Sequence, residues 1–502
     1  MYDVIFTMKM RNGTIMYKNN RVLLSTLFWF VTLLWSSLAK AEPVDKLIKT
    51  LMKERHIPGL QLAVIKDDKI VKQGNYGFAD LQHQVPVTEK TVFPINSMTK
   101  AFTGVAIVQL AEQGLINIDD EIGKHLPDLP KTWQSLKINQ LMGHTTGLPA
   151  ILAANRGLET LIPHDAEASW LEVQKHPLQF TPNSRFSYNQ TGYVILGKLI
   201  DKYIPGGFTD FITKNQLERA KMPKTAQAGF DYLERMVPNQ TRQYIHLSEN
   251  NYKNFYGEFP YILRTAAGMS STATELANYI VSLQQGELVK DLNLLWTPVK
   301  LNNGRTEGFN NKENGYAMGW QVNQRKYHSA VSASGANAVT MIIYPEDKVS
   351  VVVLTNLLGS LPITFVDEVA AYYIPGFKDE HKQTAYQPMA YLKSLTDKKG
   401  FKDFAIVFAQ AQQDTGVTYD LEILVEWGNK LVNNGRVDDG IAVFEFALTQ
   451  NNEQPYYHSS VAEAYELNKQ YPLALKHYQQ ILTINPNSQY AKNKVAAIKG
   501  YL

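Results

Sequence analysis

Between Phe93 and Gly114 the chain reads Phe-Pro-Ile-Asn-Ser97-Met-Thr-Lys100-Ala-Phe-Thr-Gly-Val-Ala-Ile-Val-Gln-Leu-Ala-Glu-Gln-Gly. After Pro94, the residues Ala101, Val105, Ile107, Val108 and Leu110 fall at helical spacing and Gly114 closes the run. The segment is therefore expected to be a largely buried helix with Ser97 and Lys100 in its first turn. There the serine hydroxyl lies near unpaired N–H groups at the positive end of the helix dipole, and Lys100 projects its amine from the same face. A lysine held in a dry pocket gives up its proton more readily and can accept one from the serine, which makes the hydroxyl nucleophilic. Spacing alone is weak evidence, because Ser37-Leu-Ala-Lys40 repeats the pattern in a segment that reads as cleaved.

That segment is the N-terminus. Lys18-Asn-Asn-Arg21 precedes the apolar run Val22–Trp35, and Ala39-Lys-Ala41 supplies small residues before Glu42. Residues 1–41 are expected to be a signal peptide, with the start at Met1 or Met16; a retained N-terminal membrane anchor is the alternative. The run is short for a span, which needs about 20 residues. Setting aside the five basic residues and one acidic residue of this segment leaves 45 basic against 46 acidic, from 50 and 47 in the whole chain. So near-neutral a balance gives no basis for a nucleic-acid partner. The absence of cysteine removes disulfides and thiolate metal sites and fits export to the periplasm. At 502 residues the chain exceeds one ordinary domain.

Leu60–Ile65 and Ile70–Gly77 flank the polar turn Lys66-Asp-Asp-Lys69, which predicts an antiparallel hairpin ahead of the Ser97 helix. In Phe186-Ser-Tyr188-Asn-Gln190-Thr-Gly-Tyr193 and the helix after it, Tyr188 and Gln190 fall in the loop feeding the helix, where polar groups can project into a cleft. Thr272 and Glu275 have the spacing of a capping box. Gly315–Trp320 reads as a strand, and Ala338–Tyr344 and Val349–Asn356 as two more joined by Pro345–Lys348. A hairpin near one end, strands near the other and helices between predict one antiparallel sheet whose chain ends meet.

The order Ser97-x-x-Lys100, Leu141-Met-Gly-His144-Thr-Thr-Gly-Leu-Pro149, Phe186-Ser-Tyr188-x-Gln190-Thr-Gly-Tyr, Ala267-Gly-Met-x-Ser-Thr272 and Tyr344-Pro-Glu-Asp-x-x-x-Val-Val-Val-Leu-Thr-Asn356 resembles the β-lactamase-related serine hydrolases. That family groups class C β-lactamases, D-alanyl-D-alanine carboxypeptidases and family VIII esterases. The resemblance covers about Val44 to Phe377 and implies an α/β fold of the β-lactamase and penicillin-binding-protein type, an antiparallel sheet with a helical region. It implies Ser97 as the acylated nucleophile, Lys100 as the proton acceptor, and Tyr188 as the group that shuttles protons to the leaving group and activates water. No metal or cofactor is implied, and His144 is implied to hold a turn.

Two departures stand out. Where the family usually has Tyr-x-Asn, Gln190 carries the amide on a longer stem. The edge-strand motif, usually Lys or His followed by Ser/Thr-Gly, has two placements. Tyr327-His328-Ser329 keeps a cation but has Ala330 for the glycine; Ser334-Gly335-Ala336 keeps the glycine but has Ala333 for the cation. The second keeps a spacing to Pro345 seen in esterase-type relatives. Gln190, Ser334, Gly335 and His328 are thus the candidate substrate-binding residues. Loss of a cation that would meet a substrate carboxylate points to an exported hydrolase of small esters or amides with weak or no β-lactamase activity; peptidoglycan-derived substrates remain open. The alternative is a catalytically silent protein that uses the cleft and the C-terminal repeats to hold peptidoglycan or a partner.

Beyond 42–377, residues 378–419 read as linker and helices, the linker running to Asp397. In 420–502 the residues Gly428, Leu431, Gly440, Phe444 and Ala447 are answered 34 positions later by Ala462, Tyr465, Ala474, Tyr478 and Ile481. This resembles tetratricopeptide repeats and predicts an all-α helical-repeat module, a candidate surface for a protein partner.

Overall fold

The computed structural model describes the chain except for residues 1–42, 156–157, 162–165, 231–235, 249–250, 256–259, 310–312, 326, 378–386, 416–418, 420, 434 and 487. The expected signal peptide lies outside the described residues. The described residues up to Thr50 belong to one compact unit and those from Leu51 onward to a second. In the first, residues 43–50 are helical.

The second unit, from Leu51 onward, is built around an eight-stranded sheet. The strands are β1 (Gly59–Lys66), β2 (Lys69–Asp80), β3 (Val85–Pro86), β4 (Gly315–Tyr316), β5 (Gln321–Asn323), β6 (Ala330–Gly335), β7 (Val339–Tyr344) and β8 (Val349–Thr355). In space they run β4-β5-β6-β7-β8-β1-β2-β3, every neighbouring pair antiparallel. The early hairpin meets the last strand directly, with Leu62 opposite Val353 and Val64 opposite Val351, so the expected joining of the two chain ends is present. β7 and β8 are buried along their whole length, which is why their sequences are continuous apolar runs rather than alternating ones.

Helix α1 (Thr99–Glu112) is the Ser97 helix, and every residue from Thr99 to Leu110 is buried. An all-round apolar helix of this kind can only sit inside a domain. Helices α2 (Thr191–Tyr203) and α3 (Ala273–Gln284) belong to the same apolar core. At the start of α3, Thr272 Oγ1 accepts the Glu275 N–H at 3.2 Å, as the capping box requires. The reciprocal arm is diverted: the Glu275 carboxylate accepts from the N–H groups of Lys224 and Thr225, at 2.9 and 2.8 Å.

The C-terminal region is helical and has a second apolar core, distinct from the first. Its helices are α4 (Gln387–Lys399), α5 (Phe404–Thr415), α6 (Leu421–Asn433), α7 (Val437–Gln450), α8 (Pro455–Leu467), α9 (Tyr471–Ile484) and α10 (Gln489–Lys499). The starts at 387, 421, 455 and 489 are 34 residues apart. Close helix approach depends on Gly440, where an added Cβ would lie 2.4 Å from Val432 and 2.8 Å from the Gly428 carbonyl.

One boundary is corrected. The stretch read as linker up to Asp397 contains most of α4, whose Met389, Leu392 and Thr396 are buried at spacings of three and four. Lys393 and Ser394 interrupt the run and Asp397-Lys-Lys399 ends it in charge, which hides the period, and Pro388 stands in the first turn, where a missing N–H is harmless. A truncation at Asp397 would cut this helix, so a cut that spares it falls before Gln387. A chain ending at residue 380 is expected to stay soluble and to unfold in a single cooperative transition of its own, because the two cores are separate. Aggregation in size-exclusion chromatography would show that the helical module completes the first core.

Candidate active site

Ser97 lies in a 3₁₀ turn, Asn96–Met98, immediately before α1 rather than within its first turn. Asn96 adopts φ +49°, a left-handed conformation that asparagine tolerates better than most residues. From Thr91 to Leu110 every residue is buried except Ser97, which is half-buried. Solvent therefore reaches this segment at Ser97.

Lys100 is fully buried. Its Nζ lies 3.4 Å from Ser97 Oγ and donates to the Ala266 carbonyl at 3.0 Å. The same Nζ stands 4.8 Å from the Tyr188 ring centroid and 5.2 Å from that of Tyr193. Ser97, Lys100 and Tyr188 are thus brought to one place from the 3₁₀ turn, α1 and the loop before α2. The carbonyl of Ala266 is a member that sequence reasoning missed, since a backbone acceptor leaves no mark in residue identity. Tyr193 stands in the Thr-Gly-Tyr segment but has no spacing argument to separate it from a packing residue.

His144 holds Tyr188 in place. At φ +57° it presents its carbonyl to the Ser187 N–H at 2.8 Å, and its Nδ1 accepts the Asn189 N–H at 3.4 Å. Its ring lies 4.3 Å from that of Tyr188. With Nδ1 accepting, the neutral ring carries its proton on Nε2, a buried atom without a hydrogen-bond partner among the described residues. Burial holds this imidazole well below its ordinary value of 6.5, and Lys100 pushes it further down whenever its amine is protonated. The unfolded chain therefore binds a proton that the folded chain refuses, and stability falls as pH drops below about 6.5, by up to about 1.4 kcal/mol per pH unit from this group. His144→Asn, which tolerates the same backbone, is expected to flatten the slope of urea stability between pH 7.5 and 5.5. An unchanged slope would show that His144 is protonated in the folded state.

Gln190 and Asn189 divide two tasks. Asn189 is committed to the turn, donating to the Leu148 carbonyl at 3.3 Å and accepting the Gly192 N–H at 3.2 Å. Gln190, at the N-terminus of α2, is buried, and its Oε1 has no hydrogen-bond partner among the described residues. It is therefore the amide with an acceptor to spare.

The edge-strand candidates separate. A Cβ added at Gly335 would stand 2.1 Å from the Ile95 carbonyl and 3.0 Å from Asn96, so this end of β6 is pressed against the turn that carries Ser97. Ala333 shares that strand face, since side chains alternate, while Ser334 points to the other and meets Thr340 Oγ1 at 3.0 Å. Ala336 and Asn337 come next at φ +48° and +51°, in a turn closed by the Ala338 N–H on the Gly335 carbonyl at 2.9 Å. His328 does not join them. It precedes the opposite end of β6, seven residues or roughly 20 Å of strand from Gly335, and its Nδ1 pairs with Asp347 at 2.9 Å. Among the described residues there is no group of three or more His, Cys, Asp or Glu side chains arranged to hold a metal ion.

This architecture is that of the penicillin-binding proteins and their hydrolase relatives. A penicillin-binding protein homologue from Pyrococcus abyssi superposes with a TM-score of 0.56 at 23% identity, over 68% of this chain and 80% of its own. The hydrolase EstCE1 does so with a TM-score of 0.54 at 17% identity, over 65% and 97%. In sequence, Protein flp of Staphylococcus aureus (strain N315) is 26% identical over 328 residues, 63% of this chain and 63% of its own length. Penicillin-binding protein 4* of Bacillus subtilis (strain 168) is 25% identical over 342 residues, 63% and 72%. The beta-lactamase family profile matches residues 44–372, and the chain belongs to that family of serine hydrolases.

Proposed function

We propose that this protein is an exported hydrolase of small esters or amides that works through an acyl-enzyme on Ser97. The observation that carries the reading is the convergence of Ser97, fully buried Lys100 and Tyr188. Ser97 Oγ attacks the substrate carbonyl carbon while its proton passes to Lys100 Nζ. The oxyanion is met by backbone N–H groups, that of Ser97 and one just after Gly335, where β6 presses against the nucleophile's turn. As the bond to the leaving oxygen or nitrogen breaks, Tyr188 supplies it with a proton. Water, activated through the same tyrosine and lysine, then releases the acid and restores Ser97. Gln190, with its open acceptor, orients the substrate.

Ala333 favours uncharged substrates over those bearing a carboxylate, because it places a methyl group where a cation would stand. Export rests on the basic and apolar run of residues 18–41, and a mature N-terminus at Glu42 would support it. The 34-residue helical period supports a tetratricopeptide-like surface for a protein partner. The decisive test is intact mass after parallel exposure to a fluorophosphonate, a penicillin and a p-nitrophenyl ester. Acylation by none of them would favour a silent binding protein.

A further inference from the structure

We propose that Phe309, backed by Phe186, forms an apolar lip that takes a flat, apolar leaving group, such as the aryl portion of an aryl ester. Phe309 is a large aromatic side chain left 36% exposed, and the ring it leans on is that of Tyr188, 5.1 Å away. Phe186 stands 5.3 Å from Phe309 in an edge contact and 6.0 Å from His144. Tyr316 closes the group from beneath, 5.6 Å from Phe186 and 6.2 Å from Tyr188. The rings thus form a wall whose outermost member is wet.

The wall is fixed in place by polar contacts between two loops. Glu307 Oε2 accepts the Phe186 N–H at 3.0 Å, which ties the backbone two residues before Tyr188 to the side chain two residues before Phe309. Asn302 donates its N–H to the Asn183 carbonyl at 2.8 Å and its Nδ2 to the Pro182 carbonyl at 3.1 Å. An exposed aromatic ring so anchored loses little conformational freedom when it packs against a ligand.

Its position selects which half of the substrate it meets. The inference rests on the proposed role of Tyr188 as proton donor to the leaving atom; of the rings packed on Tyr188, His144 and Tyr316 are buried and Phe309 is exposed, so a group leaving Tyr188 toward solvent on that side meets Phe309. The acyl half remains with Ser97 and the Gly335 end of β6. Phe309 therefore acts on acylation and drops out of deacylation, because the leaving group has gone by then.

Phenyl acetate and methyl acetate share an acyl group and differ in the part the lip meets. In Phe309→Ala the loss of kcat/KM on phenyl acetate is expected to exceed the loss on methyl acetate by about tenfold, and Phe309→Leu to recover at least half of that preference. Equal losses on both esters would overturn the proposal and leave Phe309 as a support for Tyr188. Phenol binding, followed by saturation-transfer NMR in Ser97→Ala, separates the lip from the chemistry. Phenol is expected to bind Ser97→Ala and to lose contact in Ser97→Ala/Phe309→Ala. Binding unaffected by Phe309 would also overturn the proposal. Phenol binding of this kind in a protein that no ester acylates would sink the hydrolase reading while leaving the lip standing.

Discussion

Ser97→Ala is expected to abolish the fluorophosphonate adduct and to lower ester hydrolysis by at least about a thousandfold, the scale on which loss of a nucleophile acts. The substitution removes one oxygen from a half-buried residue, so the fold has no reason to change. The melting temperature should stay within a degree or two of wild type, which separates loss of chemistry from loss of structure. Peptide mapping of the wild-type adduct should find the label in the segment from Phe93 to Lys100. An undiminished adduct in the variant would move the nucleophile to another hydroxyl.

Ester hydrolysis is expected to exceed β-lactam hydrolysis by at least about a hundredfold in kcat/KM. A β-lactam brings a carboxylate that has to leave water, and burying it without a paired cation costs several kcal/mol. The candidate cation His328 stands near the far end of β6, engaged with Asp347. Ala333 lies on the strand face turned toward the Ser97 turn, so a histidine placed there would project to the side where the charge is missing. Ala333→His should therefore narrow the gap by raising activity on nitrocefin. Ala333 is buried, 4% exposed, so the variant should also lose some stability from the added volume. Comparable wild-type efficiencies on nitrocefin and p-nitrophenyl acetate would show that another basic side chain reaches the carboxylate.

The sheet and the central helix were legible because their signals are local. Continuous apolar runs in β7 and β8 and helical spacing in α1 are imposed by burial within single elements. The Ser97–Lys100–Tyr188 constellation was legible from motif order, although Tyr188 stands 88 residues from Lys100. What failed to show was decided by tertiary contact. Gly315–Trp320 reads as one strand, but it breaks after Tyr316 and resumes at Gln321, because the Ala317 N–H turns back onto the Trp320 carbonyl at 2.8 Å. The choice between His328 and Gly335 needed to know which end of β6 faces the nucleophile, and a strand's sequence carries no such direction. Phe309 was invisible for a related reason: one phenylalanine in a polar loop has no period, and its place against Tyr188 is set by hydrogen bonds between two loops.

The even spacing of helix starts at 387, 421, 455 and 489 has a consequence for how the C-terminal region tolerates change in length. The pair α6–α7 packs on α8 as the pair α8–α9 packs on α10, so removing or duplicating 34 residues in frame, such as 455–488, restores a matching neighbour on both sides of the join. A deletion a few residues shorter or longer shifts every later helix off its packing face. The region can thus grow or shrink in whole steps, varying its reach without disturbing the sheet to which it is tethered.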